Sequence, residues 1–175
     1  MKESHMKKIF LFISIIAYSI GVYAQAEVSF NNVWLEHNTY QYSTVNQPVW
    51  NGFMWVNSYG NTSIKGMKIH INVDVFNAQG QNLTVAAFVF DEDGEPIRSL
   101  QSQYRAPDGQ LTSQYRFVPQ YESTSYPEGW LFLPYSAFSY PAYSNSMDCK
   151  LRVDVLDRNG YSIGQSDWYY FSIQK

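Results

Sequence analysis

Between Gly66 and Phe76 the chain reads GMKIHINVDVF, with Met67, Ile69, Ile71, Val73 and Val75 in one register and Lys68, His70, Asn72 and Asp74 in the other. Successive residues of a strand point to opposite sides, so this alternation gathers five apolar side chains on one face. On a helix the same residues would step around the circumference by about 100° each and no face would be apolar. The stretch is therefore a half-buried antiparallel strand, and its β-branched residues suit that position. It dictates a fold class and carries no chemistry.

The flanking sequence repeats the theme. Glu27 to Asn38 reads as a strand with a bulge at Asn31-Asn32. Leu83 to Phe90 is apolar on both faces, as a central strand covered on both sides would be. The Asp91–Pro96 turn leads to Ile97–Tyr104, read as pairing back. Leu111, Ser113, Tyr115 and Phe117 form a further alternating face, and Gly129–Leu133 a short strand stopped by Pro134. Tyr135–Phe138 reads as one helical turn. Cys149, Leu151, Val153 and Val155 share an inward face, and Asp157-Arg-Asn-Gly160 turns the chain into a returning strand, Tyr161–Ile173. Thr39–Ser63 loses the pattern, although GFMWV at 52–56 fits a short edge strand. Long patternless connections in compact domains tend to carry function.

Seven to nine short strands, separated by Gly- and Pro-bearing turns and with no amphipathic helix after residue 24, predict a single antiparallel β-sandwich, immunoglobulin-like or jelly-roll-like. A sandwich is expected over a closed barrel because the strands differ in length and the connections 39–63 and 119–128 are long enough to cross between sheets. Three features resemble secreted bacterial β-sandwich domains to which no activity is attached: GMKIHINVDVFNAQG, the hairpin FVFDEDGEPI and the segment RFVPQYESTSYPEGWLFLPYSAF. They span roughly residues 64 to 140. The resemblance implies the fold and transfers no site.

Lys7-Lys8, the twelve-residue apolar run Ile9–Ile20 and small residues at Gly21–Ala26 have the order of a secretory signal peptide. The run is shorter than the about 20 residues a membrane span needs. Residues 1–24 are read as the signal, with Met6 as the usual start and cleavage after Ala24 favoured over Ala26, and 25–175 as the sandwich domain; a retained N-terminal anchor is the alternative. The full chain has 12 basic and 15 acidic side chains, and losing Lys2, Lys7, Lys8 and Glu3 with the signal widens the acidic excess from three to five. Nucleic acid, which needs a basic surface, is excluded as a partner. Cys149 is the single cysteine, so no intramolecular disulfide forms, and export then points to a bacterial envelope: periplasm, cell surface or extracellular space.

Chemistry is sparse. After the signal only His37 and His70 remain as histidines, and neither has a partner at a metal-ligand spacing. No nucleophile elbow or phosphate loop is present. His70 lies on the polar face of its strand, as a solvated or cross-strand hydrogen-bonded ring would. Cys149 follows the inward register of a small core residue. The acidic turn Asp91, Glu92, Asp93, Glu95 offers carboxylates that calcium could take, chiefly Asp91 and Asp93. Against that stands an ordinary hairpin turn in which Asp caps its own backbone. Calcium is the only cofactor the sequence brings forward. A glycosidase pair is not expected from carboxylates sharing one turn.

The remaining signal is aromatic: Tyr, Phe and Trp make 18% of the chain. Tyr40, Trp50, Trp55 and Tyr59 sit among Asn46, Asn51 and Asn57, the mixture that stacks on sugar rings and bonds their hydroxyls. A second group comprises Tyr121, Tyr126, Trp130, Tyr135, Tyr140 and Tyr143. Core packing and protein contact are the competing uses of such residues. The sequence thus predicts a non-catalytic exported interaction module, with a carbohydrate-binding platform at Tyr40, Trp50, Trp55 and Tyr59 as the alternative and a hydrolase third. The partner is a protein or a glycan, with no membrane span after signal cleavage. An enzyme would require His37 or two carboxylates in a cleft.

Overall fold

The computed structural model describes residues 25–43, 48–50, 52–53, 55–57, 62–142 and 144–174; for 40–43, 48–50, 55–57 and 62 it describes the backbone. Among these residues there is no α-helix, and no helix long and apolar enough to cross a membrane. The strands are β1 (Glu27–Ser43), β2 (Pro48–Trp50), β3 (Trp55–Asn57), β4 (Thr62–Phe76), β5 (Leu83–Asp91), β6 (Thr112–Phe117), β7 (Ser123–Pro134), β8 (Ser146–Leu156), β9 (Ser162–Gln165) and β10 (Tyr169–Gln174). They form a three-stranded antiparallel sheet in the order β1-β4-β7 and a five-stranded one in the order β10-β8-β5-β6, with β9 also on β8. The eight strands of these sheets match the predicted number, and β2 and β3 make a separate hairpin.

The register of β4 holds as predicted. Met67, Ile69, Ile71, Val73 and Val75 are fully buried, and they join Leu83, Val85, Val89, Leu151, Val153 and Val155 of the other sheet in one core cluster. Burying a side chain of this size contributes about 1.5–3 kcal/mol, so the two facing sets together are a large source of stability. At both margins the two sheets approach each other. Ser113 Oγ of β6 donates to the Phe132 carbonyl of β7 at 2.8 Å. At the other margin Gly164 of β9 lies against Val28 of β1, where a Cβ would overlap the valine side chain.

Several predicted boundaries shift, each for a local reason. β1 and β4 continue as a ladder through Ser43↔Thr62, where Tyr40, Tyr42 and Ile64 among polar residues give only a weak sign of a strand. β7 begins at Ser123, so 119–128 is not a long connection. Pro127 and Glu128 lie in a bulge opposite Asn72 in β4, and a bulge tolerates the missing N–H of proline. Ile97–Tyr104 is not a returning strand. It makes isolated bridges, Arg98↔Gln110 and Ser99↔Phe138, then a 3-10 turn at Ser102–Tyr104. There Ser99 Oγ bonds both the carbonyl and the N–H of Gln101, which turns the chain away from a ladder.

The final hairpin is as predicted at its turn and interrupted in its return. Asp157 Oδ1 accepts from the N–H groups of Asn159 and Tyr161, and Gly160 takes the positive φ of 85° that the turn demands. The returning chain breaks at Ser166–Trp168 between β9 and β10. Ser166 bridges the break: its N–H donates to the Val153 carbonyl at 2.8 Å, and its hydroxyl accepts from the Val153 N–H at 3.0 Å. Both polar groups of a buried strand residue are thereby satisfied where the ladder lapses.

Candidate functional site

At one end of the fold the paired sheets open into a groove of about 950 Å³. A second register shift in β1, between Glu36 and Thr39, creates one wall. It leaves His37 and Asn38 outside the ladder, and Asn38 takes a left-handed conformation, φ 56°, which asparagine accepts more readily than most residues. Lys65, near the start of β4, stands on the same side. The facing wall is built by the 3-10 turn Tyr135–Ala137, by Phe138 and Tyr140 after it, and by Ile173 at the end of β10. Leu100 closes one end and is 64% exposed.

The two walls are tied by Tyr135. Its hydroxyl accepts from the Asn38 N–H at 3.0 Å and lies 3.1 Å from His37 Nδ1. We assign the phenol proton to that second bond, which puts the ring proton of His37 on Nε2. Burial, with Phe171 packed at 5.8 Å, lowers the pKa of His37 below its ordinary value, so the ring is neutral at pH 7. On the opposite wall Tyr140 donates to the Gln174 carbonyl at 3.4 Å. No described lining residue is Asp, Glu or Cys. Asp148 reaches this wall through Ser172, whose hydroxyl donates to it, and Glu36 is turned to the outer face, where it holds His70 at 2.9 Å. His37 thus meets the condition of lying in a cleft, without a carboxylate or thiol beside it to complete a relay.

The platform predicted at Tyr40, Trp50, Trp55 and Tyr59 falls largely beyond view. Tyr59 lies outside the described residues, as does Tyr143, and for the other three only the backbone is described. That backbone pairs Trp50 with Trp55 across the β2–β3 hairpin and Tyr40 with Lys65. At the predicted calcium turn, Asp91 Oδ1 accepts from the N–H groups of Gly94 at 2.9 Å and Glu95 at 2.8 Å. Asp93 is exposed. Among the described residues no three His, Cys, Asp or Glu side chains gather where they could hold a metal.

Cys149 is buried in β8, and its pKa is pushed up to about 12, first by burial and then by the negative charges of Asp148 and Asp91. At pH 8 almost none of it is thiolate, the reactive form. Iodoacetamide is therefore expected to leave the folded protein unlabelled and to modify one cysteine once denaturant is added, read by intact mass. Rapid labelling of the folded chain would place Cys149 outside the core.

Two other aromatic surfaces are internally occupied. Trp34, His70 and Trp130 line up across the three-stranded sheet. His70 stacks on Trp34 at 4.5 Å with only 4° between the planes, and Lys68 Nζ sits 4.6 Å from the Trp130 ring centre. On the larger sheet Trp168 meets Phe90 edge-on, with Lys150 and Arg152 at 5.5 and 5.1 Å from its centre. These rings already have partners, whereas the groove sets the half-buried Tyr135 and Tyr140 along a concave wall. Sequence reasoning had grouped Tyr135 with Tyr140 and missed Asn38, Lys65 and Leu100. The one local sign was His37-Asn38 interrupting the alternation of β1. Comparison with protein-family models, with curated proteins and with solved structures finds no match to this chain.

Proposed function

We propose that this chain is a non-catalytic binding module, a β-sandwich exported to a bacterial envelope by residues 1–24, whose ligand lies in the groove between Tyr135 and His37–Asn38. The carrying observation is the groove itself: open, about 950 Å³, walled by Tyr135, Phe138, Tyr140 and Leu100, and free of carboxylate and thiol among its described lining residues. Apolar walls with a few placed polar groups are the ordinary make-up of a ligand site. A glycan suits these walls better than an apolar ligand. Tyrosine faces pack against the C–H faces of sugar rings, while Asn38, Ser63 and Ser136 offer bonds to hydroxyls. The sandwich reading is supported by two antiparallel sheets sharing one core.

Glycan-array binding of residues 25–175, with calcium and with a chelator, tests the proposal. Tyr140→Ala is expected to weaken any hit by at least about tenfold, or about 1.4 kcal/mol, while Trp50→Ala leaves it in place. Loss in Trp50→Ala or Trp55→Ala alone would move the site to the β2–β3 hairpin. Loss on chelation would bring the Asp91–Glu95 turn into the site. A blank array would favour a protein partner, to be sought by pull-down.

A further inference from the structure

The groove carries a charge bias that the rest of the molecule does not. The chain as a whole has more acidic than basic side chains, 15 to 12. Along the groove the balance inverts: Lys65 is the one described lining side chain with a full charge at pH 7, and no described lining residue opposes it. Lys65 is exposed and has no carboxylate partner among the described residues, where the ion pairs are His70–Glu36 and Arg152–Asp154. Two carboxylates flank the groove without lining it, and each already has a partner. Glu36 binds His70 on the outer face, and Asp148 accepts from Ser172. A neutral sugar would leave the Lys65 ammonium unused. An anionic one would complete it, with His37 and Asn38 on the same wall and Tyr135 reaching them from the facing one.

We infer that the groove selects sugars carrying a carboxylate, such as uronic or sialic acids, with the carboxylate on Lys65 and the ring against Tyr135 and Tyr140. The inference rests on the glycan reading of the groove. Its physical basis is that a charge-assisted hydrogen bond is about twice as strong as a neutral one, in a groove where no described lining residue is acidic. Such a pair also falls off with salt, because the screening length shrinks to about 3 Å at about 1 M.

The test is an array of glucuronate-, galacturonate- and sialate-bearing oligosaccharides, each beside its methyl ester, which keeps the ring and removes the charge. Residues 25–175 are expected to bind one or more acids at least about tenfold more tightly than the matching ester. Lys65→Gln, an exposed substitution, should bring acid and ester to parity. Salt near 1 M should do the same to the unaltered protein. Esters bound as tightly as acids would overturn the inference and leave the groove as a neutral-glycan site, and an acid preference that survives Lys65→Gln would overturn it by placing the carboxylate on a group other than Lys65. Absence of any bound sugar, acid or ester, would remove the glycan reading and this inference with it.

Discussion

Ile71→Asp is expected to abolish folding. Ile71 is fully buried at the middle of β4, between Val33 of β1 and Gly129 of β7, and its neighbours in the core cluster are apolar. A carboxylate there has no described cation to pair with. It must be buried as an unpaired charge or be held protonated far above its ordinary pKa, and either costs several kcal/mol. Loss of the isoleucine burial adds about 1.5–3 kcal/mol. A domain of this size commonly has only about 5–15 kcal/mol in hand. Gln114→Asp, exposed on β6, should by contrast change stability by less than about 0.5 kcal/mol. Urea unfolding of both variants checks the pair. An Ile71→Asp protein with a cooperative transition near that of the parent would mean that the face of β4 has been assigned the wrong way round.

That experiment probes what was plainest in the sequence. Strict alternation in β4, in β8 from Cys149 to Val155, and in the β10 residues Tyr169, Phe171 and Ile173 reports burial directly, because one buried face selects one residue class at every second position. The structure buries those faces, with Tyr169 half-buried at the margin. Where polar residues dominate a strand or a bulge intervenes, that selection lapses. The far ends of β1 and β4 and the first half of β7 therefore looked like loops. The break at Ser166 was also hidden, since its hydroxyl replaces ladder groups without disturbing the alternation on either side.

The site was less legible than the fold for a different reason. Its walls come from His37–Asn38, Lys65, Leu100, Tyr135–Tyr140 and Ser172–Gln174, five places spread over nearly the whole chain. No spacing rule connects them; the sheet topology does. Composition could say that tyrosines were in surplus, and it placed Tyr135 and Tyr140 in one group. It could not say that Trp34 and Trp130 would be occupied by His70 and Lys68, because those contacts depend on cross-strand register.

Register also explains the second large effect, expected at Phe53. The tip of the β2–β3 hairpin drives this side chain into the core beside Phe117 and Tyr126, at 5.2 Å from each ring. It enters where β7 has Gly129, and a Cβ on that glycine would overlap the Phe53 ring. Gly52 meanwhile lies against the Glu128–Gly129 backbone with φ 88°, where a Cβ would also collide. Phe53→Ala is expected to cost about 3–5 kcal/mol, the scale for removing a buried aromatic ring. Gly129→Ala should cost about 1–3 kcal/mol by overpacking the same notch. The two costs should not add, because the alanine methyl in the double variant occupies space the phenyl ring has vacated. A double-mutant cycle in urea is therefore expected to show the pair no less stable than Phe53→Ala alone. Simple additivity would mean that ring and glycine do not share the notch. In that event the hairpin bearing Trp50 and Trp55 would be held to the core by something other than Phe53.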